Sequence, residues 1–216
     1  MTYYPPPDNG LDLIYHDDSL IVVNKPAGLL AVPGRGADKQ DSLSSRVQQE
    51  FPDALVVHRL DMSTSGLMMF ALGAEMQRRL SQMFRERKVQ KRYVAVVVGR
   101  LEAASGEVNL PIAADWPNRP LRKIDAESGQ PSLTRFRLLA HDVISVTSRV
   151  ELEPVTGRTH QLRVHMAAIG HPILGDTLYG EVAGVSAERL LLHASELAFA
   201  HPLSEEPLAL TSAAPF

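Results

Sequence analysis

Cysteine is absent from the 216-residue chain, and its absence removes several classes of site. The sequence offers no disulfide framework, no Cys-ligated zinc or iron–sulfur centre and no cysteine nucleophile. Such a chain is compatible with the reducing cytoplasm, where we expect this protein to act. No apolar run approaches the ~20 residues that a membrane-spanning helix needs, so we expect no membrane partner. The first ten residues carry neither Lys nor Arg, and we expect no signal peptide.

Two common active-site motifs are also missing. Residues 33–36 (PGRG) are rich in glycine but lack the G-x-x-x-x-G-K-[ST] pattern that cradles nucleotide phosphates. No G-x-S-x-G sequence is present, so the serine turn of the α/β-hydrolases is unsupported. The hydrophobic fraction of 44% and the charged fraction of 22% are those of an ordinary globular protein.

Positive charge is concentrated in the middle of the chain, although the net charge is −3. Residues 1–20 hold four Asp and no Lys or Arg, and residues 172–216 hold six acidic residues and one Arg. Residues 21–171 therefore carry a net charge of +6, and residues 78–92 alone hold seven basic residues and one acidic residue. Such a stretch is either a solvated helix face or the footprint of a phosphate backbone.

The predicted strands and helices follow no regular βαβ order, which indicates an α+β fold with a largely antiparallel sheet. The predicted strands cover 11–15, 20–24, 67–72, 93–98 and two segments within 132–153, while 190–199 fits either a strand or a helix. The predicted helices run from a cap at Asp41 or Ser42 to about Phe51, over 75–87, and over 159–169 with Thr156 or Thr159 as cap. We expect residues 1–10, which include three consecutive prolines, to be a lead-in outside the core, and residues 11–216 to form one domain.

One cluster of polar side chains suits catalysis. Residues 57–66 (VHRLDMSTSG) bring one carboxylate, one guanidinium, one imidazole and three hydroxyls to a predicted loop. Loops held by a rigid scaffold are where catalytic groups concentrate. The structural alternative is a turn in which Asp61 caps the following residues or pairs with Arg59.

A second cluster, residues 156–165 (TGRTHQLRVH), places Arg158 near the start of a predicted helix. A guanidinium and a helix N-terminus both favour an anion such as phosphate. The structural alternative is a capped helix with a solvated Arg163 and a partly buried His160. His160 and His165 are five residues apart, whereas zinc-binding His pairs on a helix are four apart, so we expect no metal site.

Both clusters resemble motifs of the RluA-type pseudouridine synthases. Residues 58–66 resemble the family's catalytic motif, residues 91–95 (KRYVA) its tyrosine motif and residues 157–165 its arginine motif. Residues 23–28, 171–176 and 191–194 resemble further family signatures. The six segments follow one another in order from about residue 20 to 195, nearly the whole chain.

The resemblance implies that the chain isomerises uridine in RNA: the uracil is detached from C1′, rotated and rejoined through C5. It also implies a single α+β catalytic domain with a mixed, mostly antiparallel central sheet flanked by helices, an active-site cleft across that sheet, and no cofactor. Asp61 is then the essential carboxylate, either as a nucleophile on C1′ or as a base and charge stabiliser on a glycal-like path. Arg158 would orient Asp61 and keep it ionised, and Tyr93 would stack on the uracil and serve in removing the C5 proton.

Base flipping is a further implication, because the target carbon is inaccessible in a stacked helix. Arg59 would occupy the gap left by the flipped nucleotide, His58 would contact the substrate and Leu192 would form an apolar pocket wall. The residues expected to contact the RNA backbone are Arg85, Arg87, Lys88, Lys91, Arg92, Arg119, Arg122 and Lys123. These contacts should weaken as salt rises.

Two features narrow the expected substrates. Asp61 is followed by Met62, where many family members have Arg, and residues 115–120 read DWPNRP. Both are typical of the subgroup that modifies large-subunit ribosomal RNA (23S) and tRNA anticodon stem-loops. We expect a monomer without the separate N-terminal RNA-binding domain of many relatives. The alternatives are a catalytically silent RNA-binding module and a metal-dependent hydrolase that uses the His residues.

Overall fold

The computed structural model describes residues 3–180 and 187–216. By their internal contacts these residues fall into two units. Unit 1 is built from the chain up to residue 91 together with 193–215, and unit 2 from 92–192 with Phe216. The assignment of 11–216 to one catalytic domain stays a prediction.

The secondary structure consists of twelve named strands and three α-helices within the described residues. The strands are β1 (Leu13–His16), β2 (Leu20–Lys25), β3 (Ala54–Val56), β4 (Ser65–Leu72), β5 (Gln90–Val98), β6 (Ser105–Asn109), β7 (Ile112–Ala114), β8 (Arg122–Ile124), β9 (Leu133–Asp142), β10 (Thr147–Pro154), β11 (Leu192–Ala200) and β12 (Pro207–Thr211). The α-helices are α1 (Leu43–Glu50), α2 (Gly73–Arg85) and α3 (Gln161–Ala168), and a 3-10 turn covers Ala37–Lys39.

Strand β4 is the centre of unit 1. It pairs antiparallel with β2 and β3 and parallel with β11, while β1 and β12 extend β2 and β11. Its residues are buried from Ser65 to Ala71, as the continuous apolar run predicts for a strand covered on both faces. Helix α2 contributes Met76 and Leu80 to the core that contains Leu67 and Met69 of β4. The apolar face of α2 therefore covers this sheet and leaves its basic residues outside.

Helix α1 begins at the predicted cap, Ser42. The Ser42 Oγ accepts from the N–H of Ser45 (3.2 Å), and the Ser45 Oγ accepts from the N–H of Ser42 (2.9 Å). This reciprocal pair satisfies two N–H groups that the first helical turn leaves free.

The lead-in contacts the rest of unit 1 although residues 4–10 are exposed or half-buried, and its place outside the core stays a prediction. The Tyr3 hydroxyl donates to the carbonyl of Asp41 (3.1 Å) and accepts from the N–H of Leu30 (3.0 Å). Buried Arg46 donates to the carbonyl of Pro6 (2.7 Å) and forms an ion pair with Asp41 (2.8 Å). A buried guanidinium needs several acceptors, and the proline-rich segment supplies carbonyls that no secondary structure uses.

Unit 2 contains an antiparallel set of strands in the order β5-β10-β9-β6 and a separate β7–β8 hairpin. Its core joins Val97 of β5 and Leu152 of β10 to Leu162 and Met166 of α3. Except for β4–β11, the described strand pairings of both units are antiparallel, which confirms the predicted α+β class. No helix in the described residues is long and apolar enough to cross a membrane.

The predicted cap of α3 is wrong. His160 stands at the N-cap in the left-handed region (φ 57°), without a side-chain cap. The Thr156 hydroxyl instead donates to the side-chain carbonyl of Gln161 (2.7 Å) and accepts from the N–H of Leu133 (2.9 Å). Thr156 therefore ties the loop before α3 to β9.

Candidate active site

Asp61 and Arg59 lie in the loop between β3 and β4. The chain turns directly after Asp61, because the N–H of Thr64 donates to the Asp61 carbonyl (3.1 Å). The Asp61 side chain is half-buried and the Arg59 side chain is exposed. The loop thus presents a carboxylate and a guanidinium that a substrate can reach from solvent.

Lys25 fixes the backbone of this loop. It is 1% exposed, and its Nζ donates to the carbonyls of Pro26 (2.9 Å), Leu29 (2.7 Å) and Met62 (3.0 Å). The N–H of Gly28 also donates to Met62 (2.9 Å). A buried ammonium is tolerated only where acceptors surround it, and here they include the carbonyl that follows Asp61. Residues 23–28 resemble a family signature, but that resemblance alone does not indicate a role for Lys25.

The C-terminal end of the loop is anchored where β4 meets β11. Ser65 pairs with His193 and Gly66 with Ala194 in the parallel register. The Ser65 Oγ is 2.9 Å from Nδ1 of His193, and the Nε2 of that ring is 3.0 Å from the Oγ of Ser212. Both ring nitrogens of buried His193 are therefore used, one in joining β11 to β4 and the other in holding Ser212, the residue after β12.

His58 anchors the N-terminal end of the loop. Its Nε2 accepts from the N–H of Met69 (2.9 Å), and its ring stacks on Phe84 at 4.5 Å between centroids. Because Nε2 is the acceptor, the neutral ring carries its proton on Nδ1. Burial, with Lys91 nearby, lowers the pKa of His58 to about 3. His58 is thus a neutral structural acceptor, and its expected contact with substrate stays a prediction.

In unit 2, Tyr93 lies on β5 and Leu192 is the first residue of β11. Tyr93 of β5 lies opposite Leu152 of β10, and its half-buried ring packs against the core of unit 2. Leu192 is 3% exposed within the same core. The stacking role of Tyr93 and the pocket-wall role of Leu192 stay predictions.

The loop that carries Arg158 is organised by the buried side chain of Gln161. The Gln161 Oε1 accepts from the N–H of Arg158 (3.0 Å), and the Gln161 Nε2 donates to the carbonyl of Leu133 (2.9 Å). The Arg158 guanidinium is exposed and donates from Nε to the carbonyl of Pro131 (3.4 Å). A fixed backbone therefore carries a cation at the surface, which suits binding of an anion.

The remaining charged residue of this motif is structural. Arg163 forms a two-pronged ion pair with Asp176, at 2.8 and 2.7 Å, with both side chains almost fully buried. The expected solvated Arg163 is therefore wrong, because the chain returns through residues 171–176 and brings a carboxylate onto α3. His165 is buried, its Nε2 donates to the carbonyl of Leu110 (2.9 Å), and burial lowers its pKa.

Basic residues of unit 1 cluster at the C-terminal end of α2 and directly after it. Arg85, Arg87 and Lys88 are exposed, and Lys88 pairs with Glu86 at 2.7 Å. Lys91 is half-buried, and burial together with the charge of Arg87 lowers its pKa. The cluster offers cations to an RNA backbone, and these contacts stay predictions.

The basic residues of unit 2 have more internal partners. Arg92 pairs with Glu151 (2.8 Å) and Lys123 with Asp125 (3.0 Å). Arg122 is half-buried, and exposed Arg119 lies over the ring of Trp116, 3.5 Å from its centroid. Two of the four predicted contacts therefore share their charge with a carboxylate of the protein.

The two histidines of the 156–165 cluster, His160 and His165, form hydrogen bonds with other protein groups. Both nitrogens of His165 are hydrogen-bonded, to Thr134 and Leu110, and Nδ1 of His160 is 2.7 Å from the Tyr179 hydroxyl. Within residues 3–180 and 187–216, no three His, Asp or Glu side chains gather as metal ligands.

Comparison with known proteins gives the family. The family model described as RNA pseudouridylate synthase matches residues 19–168, which include the Asp61 loop, β5 and the Arg158 loop. This chain is an RNA pseudouridylate synthase. The family predicted from the motifs is thereby confirmed, and with it the prediction of an enzyme that isomerises uridine to pseudouridine in RNA.

Relatives of this pseudouridylate synthase match over most of its length. The dual-specificity RNA pseudouridine synthase RluA of Pasteurella multocida (strain Pm70) is 49% identical over 98% of this chain and 97% of its own. RluA of Escherichia coli (strain K12) is 49% identical over 93% of this chain and 91% of its own. The solved structure of human RNA pseudouridylate synthase domain containing 1 superposes with a TM-score of 0.81 at 32% identity, over 99% of this chain and 87% of that one.

Proposed function

We propose that this pseudouridylate synthase modifies uridines in both 23S ribosomal RNA and tRNA anticodon stem-loops. Eight relatives that are 48 to 51% identical and match at least 93% of this chain carry the name dual-specificity RNA pseudouridine synthase. The observation that carries the proposal is that about half of the residues are identical over nearly the full length of the chain. The DWPNRP segment at 115–120 and Met62 after Asp61 favour the same two substrates.

In the proposed reaction, Asp61 acts on C1′ of the target ribose. Its carboxylate either bonds to C1′ as the bond to uracil N1 breaks, or acts on a glycal-like path as a base and as a stabiliser of the positive charge at C1′. The uracil then rotates and its C5 bonds to C1′, which releases Asp61 from C1′ where that bond had formed and returns any proton that the carboxylate had removed. C5 loses its proton and N1 takes one up, so the product is an isomer of uridine. Positioned groups are effective because their geometry is set before reaction. The hydrogen bonds to the Met62 carbonyl support this role, since they fix the backbone that carries Asp61.

Tyr93 and Arg158 take part from unit 2. We assign Tyr93 to stacking on the uracil and to removal of its C5 proton, which its placement on a paired strand supports. We assign Arg158 to holding the catalytic carboxylate ionised. The fixed backbone and exposed guanidinium of Arg158 support that assignment.

RNA binding uses cations from both units, and those of unit 2 are Arg92, Arg119, Arg122 and Lys123. Exposed Arg59 fills the gap that the flipped nucleotide leaves, and the cluster of Arg85, Arg87 and Lys88 neutralises backbone phosphates. Loops expose unstacked bases, so stem-loops are the proposed substrate shape. We further propose that the enzyme works as a monomer in the cytoplasm, without cofactor.

The test of dual specificity uses two purified RNAs labelled with tritium at uracil C5. One is a tRNA anticodon stem-loop and the other a stem-loop of large-subunit ribosomal RNA, with a scrambled loop of equal composition as the control. We expect the wild-type enzyme to release tritium from both natural sequences and not from the control. Release from one RNA alone would contradict the proposed dual specificity.

A further inference from the structure

Unit 2 contains a cavity of about 540 Å³ beside the β7–β8 hairpin. Ala113 and Ala114 of β7 form part of its apolar wall, and Trp116 stands in the turn after them. Arg122 of β8 and Arg158 of the α3 loop bring two guanidinium groups to the same cavity. The cavity therefore combines a flat apolar surface with positive charge.

Trp116 is the only tryptophan in the chain, and it is 67% exposed. The Arg119 guanidinium covers one face of its ring, 3.5 Å from the centroid. An exposure of this size leaves the opposite face open. The turn is fixed, because the N–H of Asn118 donates to the carbonyl of Asp115 (3.2 Å) and the N–H of Leu121 to that of Asn118 (3.0 Å). A fixed, exposed indole is typical of a binding surface.

The charges around the cavity favour an anionic ligand. The Nε of Arg122 is buried and has no hydrogen-bond partner among the described residues. Lys123 is held by Asp125, and the carboxylate in the lining, that of Asp115, accepts from the side-chain amide of Asn118 (3.0 Å). Arg122 and Arg158 therefore supply most of the cavity's positive charge. A ligand with one flat aromatic part and one anionic part fits this arrangement.

We propose that Trp116, backed by Arg119, is a stacking platform for one unpaired base of the substrate RNA, and that the phosphate of that nucleotide lies against Arg122. The proposal rests on the proposed function only in taking the substrate RNA as ligand. Every base presents a π-face, so the platform selects unpaired bases and not a particular sequence. Bases inside a duplex are stacked on each other and cannot use it. The platform therefore distinguishes a loop from a stem.

The sole tryptophan makes the test direct, since intrinsic tryptophan fluorescence reports Trp116 alone. The Asp61→Asn variant is titrated with an anticodon stem-loop RNA and, separately, with a blunt-ended RNA duplex of equal phosphate number. Binding is followed in parallel by the anisotropy of a dye on the RNA. We expect the stem-loop to quench the fluorescence and the bound duplex to leave it unchanged. A bound stem-loop that leaves the fluorescence unchanged would overturn the proposal.

Substitutions provide the second readout. Trp116→Ala should weaken stem-loop binding and raise KM by about 5- to 150-fold, the ratio that corresponds to about 1–3 kcal/mol for one base–aromatic stack. Trp116→Phe should retain most of the affinity, and kcat should change little in both variants. Tyr4→Ala is the matched control, because Tyr4 is an aromatic residue of unit 1 that is 82% exposed. Equal affinity of Trp116→Ala and wild type would contradict the platform.

The outcomes separate this proposal from the proposed function. Tritium release with unchanged affinity in Trp116→Ala would remove the platform and leave the enzyme's function standing. Quenching by stem-loops without tritium release from any RNA would keep the platform and remove the proposed substrates. An RNA that is neither modified nor quenches Trp116 would remove both.

Discussion

Gly66→Ala should destabilise the protein more than an ordinary glycine substitution. Gly66 has φ +111°, and a Cβ at this position would lie 2.3 Å from the carbonyl oxygen and 2.5 Å from the nitrogen of Ala194. The left-handed backbone alone costs an alanine about 1–2 kcal/mol. Restoring a normal contact requires β4 and β11 to separate by about 1 Å, and overpacking of this kind costs about 1–3 kcal/mol. The expected loss in the free energy of unfolding is therefore about 2–5 kcal/mol.

Gly170→Ala isolates the backbone part of that loss. Gly170 follows α3 with φ +85°, and a Cβ there would meet no atom within 4 Å. We expect it to cost only about 1–2 kcal/mol. Both variants are compared with wild type by urea unfolding. Equal losses in the two variants would refute the argument from the close contact of β4 with β11.

Three further predictions concern buried polar groups. Lys25→Met leaves three carbonyls without their donor, so we expect unfolding to become easier by about 1–3 kcal/mol and kcat to fall in the folded variant; an unchanged kcat would contradict a positioning role. Arg163→Met leaves the Asp176 carboxylate buried without its cation, and should cost about 3–5 kcal/mol in urea unfolding; a loss below about 1 kcal/mol would contradict it. The pKa of His58 is about 3 in the folded protein against 6.5 normally, so between these values only the unfolded chain takes up the proton and stability falls as pH falls below 6.5. His58→Gln should flatten that decline, measured by thermal unfolding at about pH 7 and about pH 5; the same decline in both proteins would contradict the account.

The elements that the sequence predicts well are those with local signals. Ser42 caps α1 through contacts within its own first turn, and the short apolar run after Gly66 favours a buried strand because Gly66 and Gly73 bound it. The Asp61 loop is predicted for the same reason, since it lies between the predicted helix that ends at about Phe51 and this apolar run. Segment 190–199 was ambiguous because an apolar run has no period that separates a strand from a buried helix. Its pairing with β4, distant in sequence, decides for the strand.

The parts that sequence reasoning missed depend on distant partners. From the sequence alone, Lys25 and Arg163 are expected to be solvated cations. In the structure Lys25 is buried among three carbonyls and Arg163 is buried against Asp176. Thr156 does not cap α3 because its hydroxyl bonds the Gln161 side chain, whose amide also reaches Leu133 of β9. Arg46 draws the proline-rich lead-in onto α1 by using its free carbonyls. Each of these buried polar side chains depends on at least one acceptor that is distant in sequence, which one sequence does not reveal.

We propose that Asp61 carries out the isomerisation. The most direct test measures tritium release from a stem-loop RNA labelled at uracil C5, using wild type and Asp61→Asn side by side, with the affinity of both for that RNA measured by anisotropy. We expect release by wild type, no release by Asp61→Asn, and similar affinities of the two proteins for the RNA. Release by Asp61→Asn at the wild-type rate, or binding without release by wild type, would contradict it.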